Sequence, residues 1–162
     1  MKGFFLTAIL VVSFSTAFSQ HTAKDLFFEL GGPGIVSLNY DMRFTAREDG
    51  IGGRIGVGGW SYKNDYERFG RLFIPAGLNY LFGKDGKHYF ELGAGLTYVQ
   101  VLDTHPDPSV NGLFDRSFGH LTFGYRLQPA NGGFSFRVAL NPLFGHGVIL
   151  PYYAGVSFGY KF

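Results

Sequence analysis

Three groups of side chains in this chain have types and spacings that could do chemistry. Asp103, His105 and Asp107 alternate along one stretch, and carboxylates with an imidazole at that spacing can ligate a divalent cation. Pro106 and Pro108 interrupt the run, so a solvated loop is expected there and no metal ligand is assigned. His120, taken with Ser117, Glu91 or Asp41, supplies the residue types of a hydrolase, which needs a nucleophile hydrogen-bonded to a base. His120 and Ser117 lie on opposite parities of one segment, so no catalytic residue is assigned and the chain is expected not to be an enzyme. The third group is larger: Glu29, Asp41, Arg43, Arg54, Glu91, His120, Arg126, Arg137 and Lys161 each fall on the polar parity of an alternating segment. Those charges would share one surface, and ion pairing is the chemistry open to them.

The segments that position them repeat one pattern. Near Ala23 to Gly31, Leu26, Phe28 and Leu30 oppose Phe27 and Glu29. From Ile35 to Phe44, Val36, Leu38, Tyr40, Met42 and Phe44 oppose Ser37, Asn39, Asp41 and Arg43. The same alternation recurs in 51–62, 71–82, 88–101, 117–128, 133–144 and 151–162. Alternation of this kind marks β-strands with one apolar and one polar face. No 3.6-residue period follows the leader. With 25 Gly, 19 Phe and 10 Tyr among 162 residues, and only 16% charged, the composition suits an all-β chain. The absence of cysteine excludes disulfides and Cys-based zinc sites, and a net charge of +2 with no basic run gives no case for nucleic acid. Gly56-Val57-Gly58-Gly59 and Gly93-Ala94-Gly95 lie within strands and lack the following helix and Gly-Lys-Ser/Thr of a phosphate loop, so no cofactor is expected.

Residues 1–19 have the layout of a secretory signal peptide: Lys2, an apolar core from Phe4 to about Phe14, then Ala17-Phe18-Ser19. Cleavage is expected near Ser19/Gln20, leaving residues 20–162 as one domain. About eight strands of about ten residues match the length that a tilted membrane-crossing strand needs. The polar face is rich in glycine, which suits the inside of a narrow barrel where long arginines need space. Phe44, Tyr80, Phe82, Phe90, Tyr125, Phe134, Tyr160 and Phe162 would gather at one rim, as interfacial aromatics do. The expected fold is therefore an eight-stranded antiparallel up-and-down transmembrane β-barrel. Its short turns and both termini would be periplasmic, and its charged loops at 63–70 and 102–116 extracellular. Whether Gly31 to Gly34 is a turn between two strands or a bend in one is left open by the residues. Three lumen acids, Glu29, Asp41 and Glu91, would face five bases, the positive excess being met by water, hydroxyls or carbonyls.

FFELGGPG, LNYLFGKDGKHYFELGAGLTY, FGYRLQP and YYAGVSFGYKF resemble segments of small outer-membrane β-barrel proteins of the Bacteroidota. The resemblance covers nearly all of residues 20–162 and is similar in architecture to OmpA-type and OmpX-type barrels. It implies residence in the outer membrane, contact with its lipid, and recognition by the barrel-assembly machinery through Phe158, Tyr160 and Phe162. It supplies no catalytic motif. A monomer is expected. The role follows as structural or surface-interacting through the loops, with a narrow pore as alternative and a lipid-modifying enzyme behind it. Tyr62, Tyr66, Phe69 and Phe114 would either meet a surface ligand or cap the barrel mouth.

Overall fold

A computed structural model describes residues 22–63, 68–103 and 112–162. The expected leader, Tyr66, His105 and Asp107 lie outside the described residues. The strands are β1 (Lys24–Gly31), β2 (Val36–Arg43), β3 (Gly50–Lys63), β4 (Arg68–Phe82), β5 (His88–Val101), β6 (Phe118–Leu127), β7 (Gly133–Leu140), β8 (Leu143–Gly145), β9 (Val148–Leu150) and β10 (Ala154–Lys161). Successive barrel strands pair antiparallel, β5 pairs with β6, and β10 pairs with both β7 and β1. The result is a closed eight-stranded antiparallel barrel of β1–β7 and β10, with β8–β9 as a hairpin at one end.

Cross-strand partners fix its geometry. Following them from Phe144 through Gly119, Leu96, Ala76, Ile55, Tyr40, Leu26 and Tyr160 returns to the starting wall at Phe134, ten residues from Phe144. A ten-residue stagger at ~3.3 Å per residue, over eight strands ~4.8 Å apart, tilts the strands by about 40°. Ten residues of strand then rise about 25 Å along the axis.

The apolar alternation is turned outward. Leu26, Phe28, Leu30, Leu38, Ile55, Val57, Leu78, Leu96, Val138, Leu140 and Phe158 are all exposed, while Glu29, Asp41, Arg54, Glu91, Arg126 and Arg137 are buried. The aromatics expected at one rim do meet there. Phe82 pairs with Phe90, Phe90 with Tyr125, and Phe134 with Tyr160, and the Tyr80 and Phe82 rings lie 4.5 Å apart. This is called the turn end below, and the opposite one the loop end.

Four boundaries differ from the periodicity, the first being that β4 starts at Arg68 rather than 71 and so takes in the end of the expected 63–70 loop. Residues 133–144 read as one strand, whereas β7 stops at Leu140 and β8 starts at Leu143. The register against β6 does not change across the gap: Phe123 pairs with Leu140, His120 with Leu143, and the Leu121 N–H donates to the Pro142 carbonyl. Pro142 has no N–H to return, so the ladder loses a rung while the strand continues. Residues 145–150, expected as a loop, form the β8–β9 hairpin about Gly145–Gly147. The last strand begins at Ala154 because Pro151 and Tyr152 form a turn.

The Gly31–Gly34 question resolves to a turn. Gly31 and Gly32 hold φ of 74° and 68°, and the Gly31 N–H reaches the Ile35 carbonyl at 2.6 Å. Residues Gly32–Gly34 make one 3-10 turn that is buried across the lumen. Ile35 itself has φ 63°, rare for a β-branched residue. Its side chain packs on a buried apolar cluster that holds it in place.

Candidate functional site: a layered charged lumen

The lumen is filled in layers. Nearest the turn end, three acids and three arginines interlock. Asp41 on β2 accepts from Arg43 (2.8 Å), Arg126 (3.0 Å) and the Asn79 amide. Asp25, at the start of β1, accepts from Arg137 (2.6 Å), Ser135 (2.8 Å) and Arg126 (3.4 Å). Glu91 accepts from Asn79 at 2.8 Å and lies 3.8 Å from Arg126 and 3.9 Å from Arg137. Arg43 also donates to the Gly50 carbonyl and to Asn79. All six ions are buried, and their formal charges cancel. Pairing of this quality is what allows charge inside a barrel, since an ion removed from water unpaired costs several kcal/mol.

Phe27 floors the next layer. Its ring centroid lies 3.7 Å from the Arg137 guanidinium carbon and 5.3 Å from that of Arg54. Stacking of this kind lets an apolar ring separate two charged layers without stranding either cation. Above it, Arg54 binds Glu29 at 2.7 Å and Asn39 at 2.9 Å. Ser37 and Ser157 both point at the Glu29 carboxylate.

Towards the loop end the lumen becomes apolar. His120 meets Thr97 at 3.3 Å, and Thr97 reaches the Pro33 carbonyl of the inward turn. Over them, Phe73, Val99, Leu113, Phe118 and Leu143 form a buried cap with Ile35, Phe114 and Tyr153 against it. Leu113 and Phe114 arrive on a short 3-10 turn, Leu113–Asp115. Arg71 ties that segment down by binding Asp115 and Asp103, both at 2.6 Å. The Arg71 guanidinium and the Gly70 N–H hold the Asp103 carboxyl below the usual carboxylate range. The stability this anchor adds is present above the ordinary carboxylate pKa and is lost as pH falls through the lowered one.

At the turn end, Lys161 reaches Glu48 at 2.6 Å and the carbonyls of Pro129 and Ala130. Gln128 donates to the same Glu48 carboxylate. Glu48 belongs to the 44–49 connection, which therefore folds back over the mouth.

All nine residues of the expected charge set are buried. Asp25 and Glu48 were not among them, and they alter the balance: four acids in the lumen and one at its mouth now answer the five bases, so there is no positive excess. Asp25 shares the parity of Phe27 and Glu29, which was the available signal; Glu48 had none, because a turn residue has no strand parity. Among the possible hydrolase residues, Ser117 Oγ accepts from the Val99 N–H and His120 pairs with Thr97, so the two do not bond to each other. Asp103 serves Arg71. No cluster of three metal-ligating residues occurs among the described residues. Phe114 caps the mouth, its ring 5.7 Å from Phe118 and 5.9 Å from Tyr153, whereas Tyr62 is exposed. Phe158, Tyr160 and Phe162 all face outward and are exposed.

No protein-family model matches the chain, and no curated protein matches it in sequence. Solved structures similar to it include two outer-membrane proteins. One is the N-terminal β-barrel domain of OprF from Pseudomonas aeruginosa, with TM-score 0.53 and 16% identity over 88% of this chain and 98% of that one. The other is the outer membrane protein Ail from Yersinia pestis in a phospholipid bilayer nanodisc, with TM-score 0.50 and 11% identity over 87% of this chain and 98% of that one. At these identities the likeness is one of fold.

Proposed function

We propose that the chain is an integral outer-membrane β-barrel protein, plugged by its own side chains, with a structural or surface-interacting role and no enzymatic one. One observation carries this: the distribution of polarity is inside out. Paired ions fill the interior while large apolar side chains cover the exterior. That exterior extends from the aromatic rim up the wall for about ten residues, or about 25 Å along the axis, the height of the apolar band on a membrane barrel. A further support is that residues 138–160 contain no Asp, Glu, Lys or Arg, although they include the tip of the β8–β9 hairpin. The fold shared with Ail, a protein whose structure was obtained in a bilayer nanodisc, agrees with this. Residues 1–19 would direct export, and the loops that follow Lys63 and Leu102 would face outward.

The membrane-embedded protein is expected to migrate differently on a gel before and after boiling, and an unshifted band would count against the barrel in lipid. In planar bilayers the refolded protein is expected to be silent, because the ion layers, the apolar cap and the Lys161–Glu48 contact stand in series. Reproducible conductance that changes on Arg54→Ala or Arg126→Ala would replace the plug with a narrow pore. Deleting Phe162 is expected to reduce insertion severalfold while leaving export unchanged, read by comparing membrane and periplasmic fractions. Equal insertion of the truncated chain would remove the assembly role from Phe162.

A further inference from the structure

The polar interior is satisfied unevenly along the axis. Tyr89 OH, Gln128 Oε1 and N–H groups of Arg43, Arg126, Arg137 and Arg54 are buried without a hydrogen-bond partner among the described residues. They run from the turn end up to Arg54 and stop there. On the loop-end side of Arg54, Thr97, His120, Thr122 and Asn141 all have partners, and the buried residues of the cap are apolar. A buried donor left unpaired carries its full desolvation penalty, so the turn-end half needs a polar ligand and the loop-end half does not.

The spacing at the centre of the ion layer says which ligand. Arg126 and Arg137 stand directly opposite each other on β6 and β7, where like charges repel. Both bind the same Asp25 oxygen through Nη2. Their Nη1 groups face the other two acids across gaps too long for hydrogen bonds. Arg126 Nη1 is 3.8 Å from Glu91 Oε2, and Arg137 Nη1 is 3.9 Å from Glu91 Oε1 and 3.7 Å from Asp41 Oδ2. Two donors and two carboxylates around one point are the full complement of a water molecule, which accepts twice and donates twice. An anion there would face both carboxylates, and a cation both guanidinium groups.

We propose that the turn-end half of the lumen binds a file of water, one molecule of which joins Arg126 and Arg137 to Glu91 and Asp41, and that the loop-end half is dry. The file begins at the mouth beside Gln128 and Tyr89, passes Phe27 and ends at Arg54. It is blind, so it gives ions no path through the cap. The inference needs the closed barrel and not its placement in lipid.

X-ray radiolysis tests it, because radicals formed from bound water oxidise the side chains beside that water even where bulk solvent has no access. Phe27, Phe73 and Phe118 share one intrinsic reactivity and are all at most 2% exposed, but Phe27 lies along the file and the other two lie in the cap. In the mature chain refolded into vesicles, oxygen addition at Phe27 is expected to exceed that at Phe73 and at Phe118 at least threefold. Equal labelling of the three rings overturns the one-sided file. A crystal structure is expected to show a water bonded to both Nη1 groups. Direct bonds from both Nη1 groups to Glu91, each under about 3.2 Å, overturn the central site.

Discussion

Asp25→Ala is expected to destabilise the refolded barrel by about 3–5 kcal/mol, the cost of leaving a buried charge without its partner. Asp25 is 1% exposed and accepts from Arg137, Ser135 and Arg126. Its strongest partner, Arg137, is buried too and stacks on Phe27, so it has no route to water. The remaining acids cannot take its place: Arg137 lies 3.7 Å from Asp41 and 3.9 Å from Glu91, and both already serve other donors. Urea titration in lipid vesicles, reading the heat-resistant gel band, measures the effect. If the uncompensated positive charge is the cause, Arg137→Met in the Asp25→Ala background should recover part of the loss, because Asp41 and Glu91 would otherwise face three buried arginines and the surplus guanidinium is then replaced by an apolar side chain of similar reach. A loss below about 1 kcal/mol, or strict additivity of the two changes, would mean that the layer relaxes around a missing acid and is not an interlocked unit.

Asp25 also marks how far the alternating pattern reaches. The opposition of Leu26, Phe28 and Leu30 to Phe27 and Glu29 is local, so strand, parity and inside-out polarity can be read from neighbours in the chain. Continuing that parity by two residues reaches Asp25, but it sits beside Lys24 at the strand start, where a charge reads as a solvated terminus. Glu48 is of another kind. Its partner Lys161 is 113 residues away, and only barrel closure brings β10 beside the 44–49 connection. The apolar cap is non-local in the same sense, since it gathers Phe73, Val99, Phe118 and Leu143 from four barrel walls with Leu113 from a loop. The ragged loop end is a further case: β3 runs five residues past its last partner on β2, a difference in height that exists only once the register is known. Faces are a property of one strand; levels along the axis are a property of all eight.

Gly52→Val is expected to cost about 3–5 kcal/mol, because the residue that needs the space at Gly52 is a buried ion. A Cβ there would lie 2.2 Å from the Arg43 guanidinium carbon and 2.5 Å from the Met42 carbonyl oxygen. Arg43 is fully buried and binds Asp41, Asn79 and the Gly50 carbonyl. Displacing it breaks all three contacts at once. The backbone at Gly52 is not in the left-handed region, so any residue could adopt its conformation. What requires glycine is the neighbouring cation, and this separates Gly52 from Gly31 and Gly32, which the turn itself requires. The distinction can be measured by a double-mutant cycle in the same urea assay. In an Arg43→Ala background the space is vacant, and Gly52→Val should cost at least about 1 kcal/mol less than in the parent, within the usual coupling range for residues in contact. Additivity would assign the glycine to the Met42 carbonyl, and hence to close approach of the two strands rather than to the charged layer. A coupled result would mean that Gly52 is cut to the shape of the Arg43 side chain, so that neither can change without the other.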